Sequence, residues 1–135
     1  LCQQLHRYQA TLRTCFTLEN FDNLIKNGRM RPIVGTLLRS LGIHIIADAT
    51  AEGTIHVADK ARGVGKTYRA ITALMKASKD CTDAEVVISH CENLEGAMAL
   101  KRQILADLPV KQVDLLSCRG LTSFYAMEKG LIVGY

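Results

Sequence analysis

The chain has 135 residues, 48% hydrophobic and 22% charged, with a net charge of +4. That balance excludes a disordered chain and suits one domain with its own core, while leaving little room for two. No apolar run approaches the ~20 residues of a membrane span, and three Phe and four Tyr without a basic block give no platform for nucleic acid.

Elements are read in chain order. Leu1, Leu5 and Tyr8 form an i, i+4, i+7 stripe that predicts a helix over residues 1–9. Residues 11–18, rich in β-branched and aromatic side chains, read as a strand, and Asn20 is placed to cap a short helix through Lys26. Gly28 stops that helix, and Pro32 suits the first turn of the next. Residues 43–47 and 54–58 read as a hairpin turning at Glu52-Gly53, with the first strand expected at the sheet centre. A helix follows from Val64 to about Lys79, with Tyr68, Ile71, Leu74, Met75 and Ser78 expected on its buried face.

Val86, Val87 and Ile88 form an unbroken apolar run, expected to be a strand buried on both sides. Asn93 caps a helix that ends at Asp107-Leu108-Pro109, a strand follows over 110–117, and a last strand occupies 131–135. Hairpin elements mixed with strand–helix–strand units predict an α+β fold, a two-layer mixed β-sheet with packed helices. No linker divides residues 1–135, which read as a single α/β domain. The chain opens without Met or a signal pattern on what reads as a working helix, so it is expected to be a fragment of a longer protein.

The chemistry-bearing residues are sparse. Five cysteines make an odd count without a CxxC pair, which points to free thiols in a reducing cytoplasm rather than disulfides. His6, His44, His56 and His90 lack metal-ligand spacing, so no metal site and no catalytic residues are expected. Gly63-Val64-Gly65-Lys66-Thr67 resembles the end of a phosphate-binding loop, but Lys60 stands where the first glycine of that arch belongs. His90-Cys91-Glu92 follows a strand and reads as structural or helix-capping. Residues 120–130, GLTSFYAMEKG, place Thr122, Ser123 and Tyr125 beside an aromatic ring and Met127. This run suits either a strand edge or hydroxyls that bind a carboxylate above an apolar pocket.

Four segments in order carry a family resemblance. Leu24-Ile25-Lys26-Asn27-Gly28-Arg29-Met30 is similar to an L-x-x-G-G-R-I motif, and Leu38 to Ile46 is similar to a strand entry ending I-K-P-I. Lys60-Ala61-Arg62-Gly63 matches K-x-R-G after a hairpin, and Ile88-Ser89-His90-Cys91 matches I-x-H-x before a helix with Glu95 and Ala97. Together they resemble the DegV family, specifically its C-terminal domain, over residues 14–135. The resemblance implies a bacterial, cytoplasmic, non-catalytic protein that holds a long-chain fatty acid near a domain interface. It also implies two partners, a missing N-terminal domain and a separate fatty acid kinase, and no cofactor beyond the fatty acid.

Under that resemblance Leu37, Leu38, Leu41, Ile43 and Ile45 are expected to wall the acyl tunnel. Arg29, Thr122, Ser123 and Tyr125 would serve the head group, with Lys60 and Arg62 as an anion-binding rim. The family's H-x-G-P-G run corresponds to Ala126-Met127-Glu128-Lys129-Gly130, so its histidine is replaced and Tyr125, Thr122 or Ser123 is left to substitute. That altered run also motivates an alternative, a protein-interaction or regulatory module that has lost the lipid pocket.

Overall fold

In the structure, a computed structural model described for residues 1–30 and 42–135, strand β1 (Thr14–Leu18) runs between β2 (Ile43–Ala49) and β6 (Leu131–Gly134), antiparallel to both. β3 (Ile55–Arg62) pairs with β2 at one edge. On the other side β4 (Glu85–His90) pairs with β6, and β5 (Gln112–Ser117) closes the sheet parallel to β4. The order is therefore β3-β2-β1-β6-β4-β5. The expected mixed sheet is present, but its centre is β1 and β6 rather than β2. The last strand of the chain inserts between β1 and β4, a long-range pairing that no local pattern encodes.

Two helices, α3 (Val64–Ser78) and α4 (Leu94–Asp107), cover one face of the sheet. Ile71, Met75, Ile88, Leu100, Ile104 and Val133 are wholly buried there, each contributing roughly 1.5–3 kcal/mol relative to exposure. Asn93 caps α4 as expected, its Oδ1 accepting from the Gly96 N–H at 3.1 Å. Thr72 Oγ1 donates to Asp107 Oδ2 at 2.7 Å and joins the two helices. Val86 and Ile88 are buried under this layer, whereas Val87 is only half-buried. The run is thus one-sided, because period-2 alternation points Val87 at the thinner face.

The opposite face carries two short helices, α2 (Asp22–Lys26) and α5 (Gly120–Ala126), over Leu18, Ile45 and Ala47. Residues 120–126 are helical, which removes the strand-edge reading of that segment. At the other end of the chain, α1 (Cys2–Thr11) takes in Thr11, so the first strand starts at Thr14. The helix expected after Pro32 lies outside the described residues.

One bulge matters for the site. Ile46 pairs with Asp59 but Ala47 pairs with Val57, leaving Ala58 as the extra residue of β3. The bulge changes which face the alternation serves. Ile55 and Val57 join the cluster under α2 and α5, while Ala61 packs toward α3 and α4.

Candidate functional site

Between α2, α5 and the tip of the β2–β3 hairpin lies a groove of about 490 Å³. Phe16 and Leu18 of β1 and Ile132 of β6 line it from the sheet, for a simple reason. Cys15 is buried on the α3–α4 side, so the alternate residues Phe16 and Leu18 point the other way. Leu24 comes from α2, Leu121, Tyr125 and Ala126 from α5, and Gly53, Thr54 and Ile55 from the hairpin tip. The Thr50 and Thr54 hydroxyls, 2.8 Å apart, hold that tip closed.

Gly28 and Arg29 complete the lining. Their position follows from how α2 ends. Arg29 N–H donates to the Leu24 carbonyl at 2.8 Å and Gly28 N–H to Ile25 at 3.0 Å, a Schellman pair. The motif needs a left-handed residue, which Gly28 supplies at φ 67°. The backbone of Arg29 is thereby fixed, and its exposed guanidinium is the only charged group among the described lining residues. An aliphatic and aromatic groove with one cation at its rim and no carboxylate suits an amphiphilic anion.

Of the residues singled out from the sequence, Arg29 and Tyr125 meet at this groove, and Ile45 is buried in the apolar cluster beneath it. Ile43 is half-buried on β2, opposite Arg62, and Ile45 stands opposite Lys60. Cross-strand partners share a face, so both exposed cations flank the Ile43–Ile45 side at the end of the hairpin remote from its tip. Thr122 is exposed and Ser123 half-buried on α5, and neither lines the groove. Leu37, Leu38 and Leu41 lie outside the described residues.

Phe16, Leu18, Leu24, Ile55, Leu121 and Ile132 were not foreseen as lining. The alternation of β1 carried the signal for Phe16 and Leu18. Nothing local marks Ile132, because its role depends on the insertion of β6.

A second cavity, about 340 Å³, opens on the opposite face where α3 and α4 begin. Glu19, Glu95 and Lys129 line it, and Lys129 Nζ sits 3.8 Å from Glu19 Oε2. Burial first, then the carboxylates of Glu19 and Glu95, push the Tyr68 phenol above its ordinary range. The glycine–lysine motif starts here, yet Thr67 Oγ1 donates to the Gly63 carbonyl at 3.0 Å within α3. Its hydroxyl is therefore engaged by the helix, and two carboxylates oppose a phosphate. Among the described residues no group of three or more His, Cys, Asp or Glu side chains could hold a metal ion.

Known proteins share this architecture. A solved DegV-family protein from Ruminococcus gnavus, refined with vaccenic acid, superposes with a TM-score of 0.88 at 30% identity, covering 99% of this chain and 48% of that one. The Streptococcus pneumoniae fatty acid kinase (Fak) B3 protein loaded with linoleic acid gives a TM-score of 0.87 at 32% identity, covering 99% and 47%. In sequence, a DegV domain-containing protein of Streptococcus gordonii is 32% identical over 136 residues, all of this chain and 48% of that protein. The chain thus spans about half the length of the curated relatives it matches. The family model describing uncharacterised proteins of the DegV family matches residues 1–131. On fold, sequence and extent of match, the chain belongs to the DegV family.

Proposed function

We propose that the chain binds a long-chain fatty acid in the groove between α2, α5 and the sheet, as a carrier without catalytic activity of its own. The observation that carries this reading is the described lining, mostly apolar, with the hydroxyl-bearing Thr54 and Tyr125 and with Arg29 as its one charged residue. Its volume lies within the ~300–1,000 Å³ of small-ligand sites. Each methylene buried contributes ~0.8 kcal/mol, so an acyl chain supplies most of the affinity and the carboxylate needs only a partner that keeps it from being stranded.

The acid sits with its carboxylate toward Arg29 and Tyr125 and its tail over Phe16, Leu18 and Ile132. Lys60 and Arg62 serve as outlying cations for an approaching anion, and Ser123 and Thr122 flank Tyr125 on α5. The fatty acids named for the Ruminococcus gnavus and Streptococcus pneumoniae proteins support this ligand class.

The name of the second protein also supports a partnership with a fatty acid kinase, to which the carrier presents the carboxyl group. Among the described residues no helix is long and apolar enough to cross a membrane. The five free cysteines fit a cytoplasmic setting.

The exposed side chains Leu1, Leu5, Tyr8 and Leu12 of the α1 region favour a protein contact, since α1 buries none of its residues. We assign that stripe to an N-terminal domain completing the ligand site. Native mass spectrometry after incubation with vaccenic or linoleic acid tests the main reading. One acid retained per chain is expected; absence of any adduct, with no displacement of a fluorescent fatty acid, overturns it.

A further inference from the structure

Two cysteines stand side by side where β4 and β5 end. The last register pair of these parallel strands is His90 with Ser117, one residue before Cys91 and Cys118. The Cys118 N–H donates to the His90 carbonyl at 2.7 Å, so the ladder reaches this rung. Neighbouring strands run ~4.8 Å apart, within the ~4.4–6.8 Å between Cα atoms that a disulfide spans.

The side chains also agree in direction. Val86 and Ile88 of β4, and Val113 and Leu115 of β5, pack toward α3 and α4. Alternation sends Cys91 and Cys118 to the opposite face, and both pack against the cluster of Leu18, Ile45 and Ala126. Each is half-buried, whereas Cys15 and Cys81 are buried in the other cluster and Cys2 is exposed on α1. The backbone of Cys91 is held on its far side, donating to Gly130 at 3.0 Å and accepting from Lys129 at 2.8 Å.

We propose that Cys91 and Cys118 form a reversible dithiol–disulfide couple at the root of α5, oxidised by low-molecular-weight disulfides of the glutathione class. The thiolate of one cysteine attacks the small disulfide, forming a mixed disulfide and releasing one thiolate. The second cysteine, deprotonated in turn, attacks the protein-side sulfur and releases the other. In sum, two protein thiols and one small disulfide become one protein disulfide and two small thiols. Burial first, and the neighbouring Cys91 second, push the Cys118 thiol above its ordinary range. Its reaction therefore accelerates as pH rises toward the thiol range.

Cys118 lies two residues before the helix that carries Leu121 and Tyr125, separated from it only by the N-cap Arg119, so the crosslink ties one wall of the groove to β4. Resting on the proposed function, oxidation is expected to change fatty acid affinity several-fold.

The test equilibrates the full chain with graded ratios of oxidised to reduced glutathione, quenches with acid, alkylates the remaining thiols and maps the peptides. The expected product is a Cys91–Cys118 linked peptide with the loss of two hydrogens. In Cys91→Ser and Cys118→Ser the remaining partner should instead accumulate a stable glutathione adduct. Persistent adducts at Cys91 or Cys118 in the unsubstituted chain overturn the proposal, as does failure to crosslink where exposed Cys2 is already modified. A crosslink without any fatty acid binding in either redox state upholds the couple and refutes the proposed ligand instead.

Discussion

Asn23 Nδ2 donates to the Phe124 carbonyl at 2.6 Å across 101 residues, joining α2 to α5 over the groove. Few tertiary ties connect these two short helices, both of which contribute lining residues, so this bond is expected to restrain the separation of the groove walls. Asn23→Ala removes the donor at a half-buried position from a solvent-exposed hydrogen bond, and the expected cost is about 0.5–1 kcal/mol of stability. Fatty acid release should quicken more than the stability loss alone explains. Urea denaturation and stopped-flow dissociation measure the two; equal release rates would show that the tie does not govern the groove.

Leu121 is 71% exposed on α5 while lining the groove. Leu121→Asp should leave stability within about 0.5 kcal/mol, since an exposed site tolerates exchange and an acid in the first helical turn favours the dipole. Fatty acid affinity should fall roughly tenfold through lost apolar contact. Unchanged affinity at unchanged stability would move the acyl tail elsewhere.

Arg29→Gln tests the head group. Charge-assisted hydrogen bonds contribute about 1.5–3 kcal/mol, less where water screens them, so a weakening of roughly threefold to tenfold is expected for the ionised acid. The methyl ester, which carries no charge, should bind both proteins alike. If acid and ester respond equally, Arg29 acts through the fold and not through the carboxylate.

Met127 follows α5 with φ 53° and ψ −179°, a conformation that essentially only glycine adopts without strain. Met127→Gly should stabilise the protein by about 1 kcal/mol, strain relief exceeding the added freedom of the unfolded chain. A lowered urea midpoint would mean that Met127 packing outweighs the backbone cost.

Alkaline pH should unfold the protein over a defined window. Burial, then the nearby Asp48 carboxylate, pushes the Cys15 thiol from 9.0 to about 12. Burial likewise raises Tyr135 from 10.0 to about 12, although its 2.7 Å hydrogen bond with Ser78 opposes the rise. Both groups are more readily deprotonated when unfolded. Their stabilisation is therefore complete below about pH 9 and is lost as pH climbs to about 12. Urea midpoints should decline through that window, and Cys15→Ala should flatten its lower part; a level profile contradicts the assignment.

Much of this was legible in the chain. The positions of α3, α4 and β6, the Asn93 cap and the stop at Gly28 all rest on contacts within a few residues, where periodicity and capping chemistry act directly. The motif around Arg29 was legible for the same reason. A helix end that needs a left-handed glycine also fixes the residue after it, and that residue proves to stand at the groove.

The segment from Gly120 to Ala126 was less transparent. Its hydroxyl and aromatic residues read as a strand edge or as a carboxylate-binding run, whereas the segment is a helix whose Ala126 packs in the cluster of Leu18 and Ile45. That outcome separates Tyr125, in the groove, from Thr122 on the exposed side, a division no linear reading of GLTSFYAMEKG could supply.

By itself the sequence determined most of the local elements, because short-range sterics and hydrophobic periodicity encode them, and its ordered motifs pointed to the family that the comparisons show. Tertiary structure alone decided that β6 enters between β1 and β4, that the bulge at Ala58 turns Ile55 toward the groove, and that Cys91 meets Cys118. Each of these joins residues distant in the chain through sheet register. Register is a collective property of the folded sheet, selected by burying both faces at once.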